Sequence, residues 1–318
     1  MKELVERARK GDLRALARAV TFLEEDPGRL PAMLKGRPQW PLPRLTAAVT
    51  GPPGVGKSSF LSRVLEARRA RNPEERIAVL AVDPSSHLSG GAVLGDRIRM
   101  MEHSGDPRLF IRSFAARGRL GGLAPSIRAV LFLLGTLGWD LVLLETVGVG
   151  QSEVEAASTA DLTAVLLAPG QGDQIQMLKA GLLEAADLFV VHKADLPGAE
   201  RVAADLEAAL DLAGESREGR PPVLLASSRE GRGAEEFLDA LEERALVRRD
   251  ALDRKREEAR ASLAREALLE EAGRRLRRAL ERGEAPVRAV LEGRRSVDAA
   301  AEDLLRAALE ERNRGERR

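Results

Sequence analysis

A chain of 318 residues, 44% hydrophobic and 32% charged, is long enough to bury a large core and too apolar to stay disordered. Its formal net charge of +1 makes no electrostatic case for a nucleic-acid partner. Cysteine is absent, which excludes disulfides, thiolate metal sites and cysteine nucleophiles and fits a cytoplasmic address. The three histidines, His87, His103 and His192, are too scattered for an obvious metal cluster.

At the N-terminus, MKELVERARKGDLRALARAV is charged throughout and holds no apolar stretch of signal-peptide length. No run in the chain approaches the roughly 20 apolar residues of a membrane span, so no membrane partner is expected. Apolar spacing in DLRALARAVTFLEED predicts a helix with Asp12 as its N-cap. Pro27, Pro31, Pro38, Pro41 and Pro43 then break the pattern. Residues 1–43 are therefore expected to form a helical extension, with the core starting near Arg44.

From Leu45 to about Ser228, short apolar runs alternate with helical segments. The runs are LTAAVT, IAVLAVD, LFIRSF, DLVLLET, LTAVLLAP, LFVVHKAD and PVLLASS. They lack polar alternation, as strands covered on both faces do. The expected fold class is α/β, with a mostly parallel, doubly wound sheet over residues 44–233. Beyond Gly233 the chain is nearly all good helix formers with dense charge. Leu238, Leu241, Leu246, Leu252, Leu263, Leu268 and Leu269 are too sparse there to require a full core. Residues 234–318 thus read as a solvated helix on the core or as an arm that pairs with another subunit.

The first apolar run enters GPPGVGKSS and then a helix. This is the P-loop pattern of Gly51, four residues, Gly56, Lys57 and Ser58, in its strand–loop–helix setting. Glycines let backbone N–H groups turn towards phosphate oxygens, and the helix N-terminus adds a favourable dipole. Lys57 reaches the terminal phosphates and the Ser58 hydroxyl suits Mg²⁺. Asp83 and Glu145 close two later strands, where carboxylates face the ligand crevice of an open α/β sheet.

Three glycine-containing segments follow strand ends. DPSSHLSGGAVLGDRIRM carries Gly90, Gly91 and Gly95 before Asp96, Arg97 and Arg99, and reads as a switch ordered by γ-phosphate and metal. ETVGVGQSE is the second, with the Gly148 N–H placed for the γ-phosphate, and PGQGDQIQMLK is the third. The last strand but one ends in VVHKADLPG, where guanine-binding proteins usually carry Asn-Lys-x-Asp and this chain has His192.

Together these segments resemble the MeaB/ArgK family of P-loop GTPases, chaperones of adenosylcobalamin-dependent methylmalonyl-CoA mutase. ETVGVGQSE and the DPSS…GGAVLGDR block are the specific parts, because most GTPases carry Asp where this chain has Glu145. The resemblance implies a P-loop NTPase fold with N- and C-terminal helical extensions, binding GTP or GDP and Mg²⁺. Ser58, Asp83, Asp96 and Glu145 would form the Mg²⁺ shell. Gly51, Gly54, Val55, Gly56, Lys57, Ser58 and Ser59 would hold the phosphates, with Gly148 at the γ-phosphate. Lys193 would stack on the base, Asp195 would accept from the guanine N1–H and 2-amine, and Ser227 and Ser228 would border it. Arg99 and Lys179 would link nucleotide state to the partner's response. Methylmalonyl-CoA mutase or a related acyl-CoA mutase would be that partner, and a homodimer would form through residues 234–318.

The chain departs from the family at His192, at Gln171 and Gln174 in the third switch, and at Ser59. The activity expected is slow GTP hydrolysis. Lys57 and Mg²⁺ supply most of the charge neutralisation, Arg99 is an added internal arginine, and Gln151 is the nearest candidate to orient water. Two rival readings are an ATP-using kinase of amino-acid-transport binding proteins and a nickel-inserting GTPase, the second disfavoured by the missing cysteines. His192 as a neutral imidazole has one hydrogen bond to donate, either to guanine N7 or to the P-loop backbone. Guanine selectivity is expected to survive with weaker affinity than Asn would give, falling further as His192 protonates.

Overall fold

The computed structural model describes residues 1–34, 40–83, 106–115, 124–146, 158–170, 186–213, 219–281 and 285–315. Seven strands form one sheet: β1 (Leu45–Thr50), β2 (Ile77–Asp83), β3 (Leu109–Ala115), β4 (Leu141–Thr146), β5 (Leu162–Leu167), β6 (Leu188–His192) and β7 (Val223–Ala226). Their order is β3-β2-β4-β1-β5-β6-β7 and every pairing is parallel. The seven apolar runs became strands because helices cover the sheet. Every residue of β1, β4, β5 and β6 is buried, so none of them alternates.

β1 lies at the centre, with Leu45 beside Leu141 of β4 and Ala47 beside Leu162 of β5. Helices α1 (Lys2–Arg9), α2 (Leu13–Glu25) and α3 (Leu30–Met33) precede it. Asp12 caps α2 as expected, its Oδ1 accepting from the Ala15 amide at 2.9 Å. α2 packs on α5 (Ala124–Thr136), which explains why α5 is apolar around most of its circumference. Gly135 of α5 admits the incoming chain, since a Cβ there would lie 2.2 Å from the Pro41 carbonyl oxygen.

α4 (Lys57–Arg71) follows β1, with Arg68, Arg69 and Arg71 at its C-terminal end to complement the dipole. It packs on α7 (Ala234–Val247), where Phe60 and Phe237 meet edge to face at 5.1 Å. α6 (Ala199–Ala213) buries Leu206 and Leu210 against Val165, Leu167, Phe189 and Val191. α8 (Arg249–Glu281), α9 (Ala285–Leu291) and α10 (Val297–Gly315) complete the chain. Two compact units can be distinguished, Met1–Glu257 and Glu258–Arg318. Leu238, Leu241 and Leu252, a sparse scatter in sequence, are buried in the main core with β1 and α4, whereas Leu246, Leu268 and Leu269 are exposed. No described helix is long and apolar enough to cross a membrane.

Because all strands run the same way, the sheet has two chemically distinct edges. β1, β2, β4, β5, β6 and β7 all end at the carboxyl edge, where open α/β sheets bind ligands. At the amino edge, the Asp161 carboxylate accepts from the Thr46 amide and hydroxyl, both at 2.8 Å. It also accepts from Arg256 Nε at 2.8 Å and Nη2 at 2.6 Å. Asp187 accepts from the Thr163 amide at 2.7 Å and pairs with Arg248, and Lys255 donates to the Ala160 carbonyl. These groups bolt the start of α8 to the feet of β5 and β6.

Candidate functional site

The loop between β1 and α4 is shaped by glycine. Gly51 has φ 147° and a Cβ there would lie 2.3 Å from the Leu166 carbonyl oxygen. Gly56 has φ 99°, and its Cβ would stand 2.6 Å from the His192 ring. Gly56 is the N-cap of α4 and makes no side-chain cap, so the positive end of the helix dipole meets the loop where an anion would sit. Lys57 is buried and donates to the Gly51 carbonyl at 2.8 Å and the Pro52 carbonyl at 3.0 Å. Ser58 Oγ donates to Glu145 Oε1 at 2.6 Å, which brings the end of β4 to the foot of the loop. A serine hydroxyl and a carboxylate side by side are the hard oxygen donors that suit Mg²⁺ beside a polyphosphate.

The other end of the cleft is built by β6 and β7. Lys193 is the non-glycine residue with positive φ, 58°, among the described residues. This turn sends its Nζ back to donate to the Gly54 carbonyl at 2.8 Å, so its stem lies along the phosphate loop. Asp195 Oδ1 accepts from the Ser227 hydroxyl at 2.7 Å, and Arg229 stands 3.9 Å from Oδ2. The Ser227 hydrogen bond holds the Asp195 carboxyl below its ordinary pKa, so at neutral pH it is an ionised group that only accepts. Ser227 is itself fixed by paired backbone bonds with Arg232 at 3.0 and 3.1 Å.

His192 joins the two ends. Its Nδ1 lies 2.7 Å from the Val55 carbonyl and its Nε2 lies 2.7 Å from Ser228 Oγ. Of the two partners open to it in the sequence, the P-loop backbone is the one the geometry supplies. Burial lowers the imidazole pKa, the Val55 bond opposes that, and Lys193 reinforces it.

The cleft between these ends has a volume of about 870 Å³ and is lined by Gly54, Lys57, Ser58, Glu145, Lys193 and Asp195, among others. It therefore gathers Gly54, Gly56, Lys57, Ser58, Ser59, Glu145, His192, Lys193, Asp195 and Ser228, whereas the candidates Gly51, Val55 and Ser227 are not on its wall, Val55 and Ser227 being fully buried. Asp83 ends β2 beside Ala115 of β3, on the same edge. Asp96, Arg99, Gly148, Gln151, Gln171, Gln174 and Lys179 lie outside the described residues. Sequence reading missed Ser62, Arg63, Glu66 and Arg229 on the wall. Arg63 Nε donates to the Ser228 carbonyl at 3.0 Å, tying α4 to the β7 loop. The spacing of positions 59, 62, 63 and 66 on one helix stripe was the signal for most of them. Among the described residues no group of three His, Cys, Asp or Glu could hold a metal.

A family model described as methylmalonyl Co-A mutase-associated GTPase MeaB matches residues 16–280. A protein of Pyrococcus horikoshii named as a GTPase is 43% identical over 246 residues, 76% of each chain. A mitochondrial methylmalonic aciduria type A homolog of Mus musculus is 41% identical over 199 residues, covering 61% of this chain and 48% of its own. A crystal structure of a LAO/AO transport system kinase is similar with TM-score 0.63 at 28% identity, covering 95% of both chains.

Proposed function

The chain belongs to the MeaB family of methylmalonyl-CoA mutase-associated GTPases, and from that premise we propose that its GTPase activity is a slow timer serving such a mutase. The observation that carries the reading is one cleft with the P-loop lysine at one end and the ionised Asp195 at the other. Guanine offers Asp195 two donors, N1–H and the 2-amine, whereas adenine presents an acceptor at N1 and lacks that amine. A carboxylate facing an acceptor loses both bonds and is left buried against a lone pair.

On binding, Lys57 exchanges the Gly51 and Pro52 carbonyls for phosphate oxygens, and the first-turn amides of α4 close on the same group. The Lys193 stem covers one face of the base. Ser58 and Glu145, with Asp83 and Asp96, would hold Mg²⁺, which supplies positive charge beside the phosphate oxygens. Hydrolysis then places a water oxygen on the γ-phosphorus as the bond to the bridging oxygen breaks, with Lys57 neutralising the charge released. Arg99 adds a second cation, Gln151 orients the water, and Arg99 and Lys179 report nucleotide state to the mutase. The output is gated loading or removal of the mutase's cobalamin by a cytoplasmic homodimer paired through residues 234–318.

Titration calorimetry with GDP and ADP tests the base assignment. Wild type is expected to prefer GDP and Asp195→Ala to lose about tenfold or more of that preference. Equal binding of both nucleotides to wild type sinks the reading. Addition of the purified mutase should change GTP turnover; an unchanged rate with no complex removes the chaperone role. The kinase name of the 28%-identical structure favours a second reading, an ATP-using kinase of amino-acid-transport binding proteins. It requires ADP to bind at least as tightly as GDP, so the same titration decides it.

A further inference from the structure

We propose that His192, as the neutral Nδ1–H tautomer, is a positioning residue that latches the base-binding loop at Ser227–Ser228 onto the phosphate loop at Val55–Gly56. The inference rests on the guanine-nucleotide reading of the cleft. A peptide carbonyl can only accept, so the 2.7 Å contact with Val55 requires the proton on Nδ1. That leaves Nε2 bare, and it accepts from the Ser228 hydroxyl at 2.7 Å and faces the Ser228 amide at 3.4 Å. One buried ring thus bridges two loops that are far apart in the chain. Space agrees with chemistry: the missing Cβ of Gly56 makes room for the ring, and Phe60 closes its other side with centroids 5.7 Å apart.

The latch has a consequence for the ligand. Val55 and Gly56 set the amides that receive phosphate, and Ser227 sets the Asp195 carboxylate that receives the base. Coupling the two fixes the span between phosphate and base contacts before the nucleotide arrives. Protonation would place a second N–H at Nε2, which turns away the Ser228 amide and holds the Ser228 hydroxyl only if that group reverses from donor to acceptor. The charges around the ring disfavour that form. Lys193 and Asp195 stand on its own loop, Lys57, Arg63 and Glu66 on α4, Glu145 at the end of β4, and Arg229 on the β7 loop, four cations against three anions.

The test compares GDP affinity from pH 5.5 to pH 8 (about the range in which an imidazole changes charge) in wild type, His192→Asn and His192→Leu. Asn keeps one donor and one acceptor without a titrating group, while Leu keeps bulk and removes both bonds. Wild-type Kd is expected to be flat at the upper end and to rise as pH falls through the lowered imidazole pKa. The β-phosphate of GDP titrates nearby, and His192→Asn carries that contribution alone, so its profile should be the shallower one. His192→Leu should bind about tenfold or more weakly at pH 8, where the imidazole is neutral. Thermal melts without nucleotide report whether each variant folds; if the Leu variant does not, the Asn profile decides. Identical pH profiles in wild type and His192→Asn overturn the latch, as does wild-type affinity in a folded His192→Leu. Wild type that binds neither GDP nor ADP overturns the guanine reading itself, and the latch with it.

Discussion

Carboxylates stand at both edges of the sheet, and they are held in opposite ways. At the amino edge Asp161 is filled by four donors from Thr46 and Arg256, and Asp187 is tied to Thr163 and Arg248. At the carboxyl edge Glu145 meets the Ser58 hydroxyl and Asp195 meets the Ser227 hydroxyl, partners that can be exchanged for a ligand, and the solvent-exposed Arg229 comes no nearer to Asp195 than 3.9 Å. Arginine partners cannot be exchanged without stranding a charge. The same residue type therefore serves stability at one edge and chemistry at the other, and the neighbouring donor decides which.

Three substitutions sharpen or break that contrast. Asp161→Ala should be the most damaging, because it leaves the Thr46 amide without its acceptor and the Arg256 guanidinium without its carboxylate. A loss of about 3–5 kcal/mol in urea denaturation is expected, with turnover per folded molecule near wild type. Glu145→Gln should do the reverse. GTP turnover should fall about 10–100-fold, while the unfolding free energy without nucleotide shifts by less than about 1 kcal/mol. If Glu145→Gln proves as destabilising as Asp161→Ala, the division of labour between edges is wrong. Asp12→Ala, remote from both edges, removes the cap of α2 and should cost about 1 kcal/mol in the same denaturation assay without touching turnover.

The carboxyl edge was largely legible in the sequence. Its strands are continuous apolar runs and its glycines, Lys57 and Ser58 are adjacent in the chain, so local spacing reports them. The amino edge was not, because Asp161 and Arg256 meet across a separation of 95 residues and charged side chains carry no period. The His192 bridge to Val55 spans 137 residues and was readable only as one of two options. The core role of Leu238, Leu241 and Leu252 was diluted by the charged residues between them, since a helix one stripe of which is buried needs few apolar positions. Arg63 was hidden for a further reason: its target is a backbone carbonyl, which every residue possesses.

The central place of β1 bears on how the protein comes into being. β1 is the first strand to be translated, yet both of its partners, β4 and β5, come later than β2 and β3. The ribosome must add roughly 100 residues after Leu45 before Leu141 can pair with it, which at about 5–20 residues per second takes on the order of 5–20 s. Through that interval the strand that carries the phosphate loop has both edges open, which exposes to other chains a segment that the finished sheet buries completely.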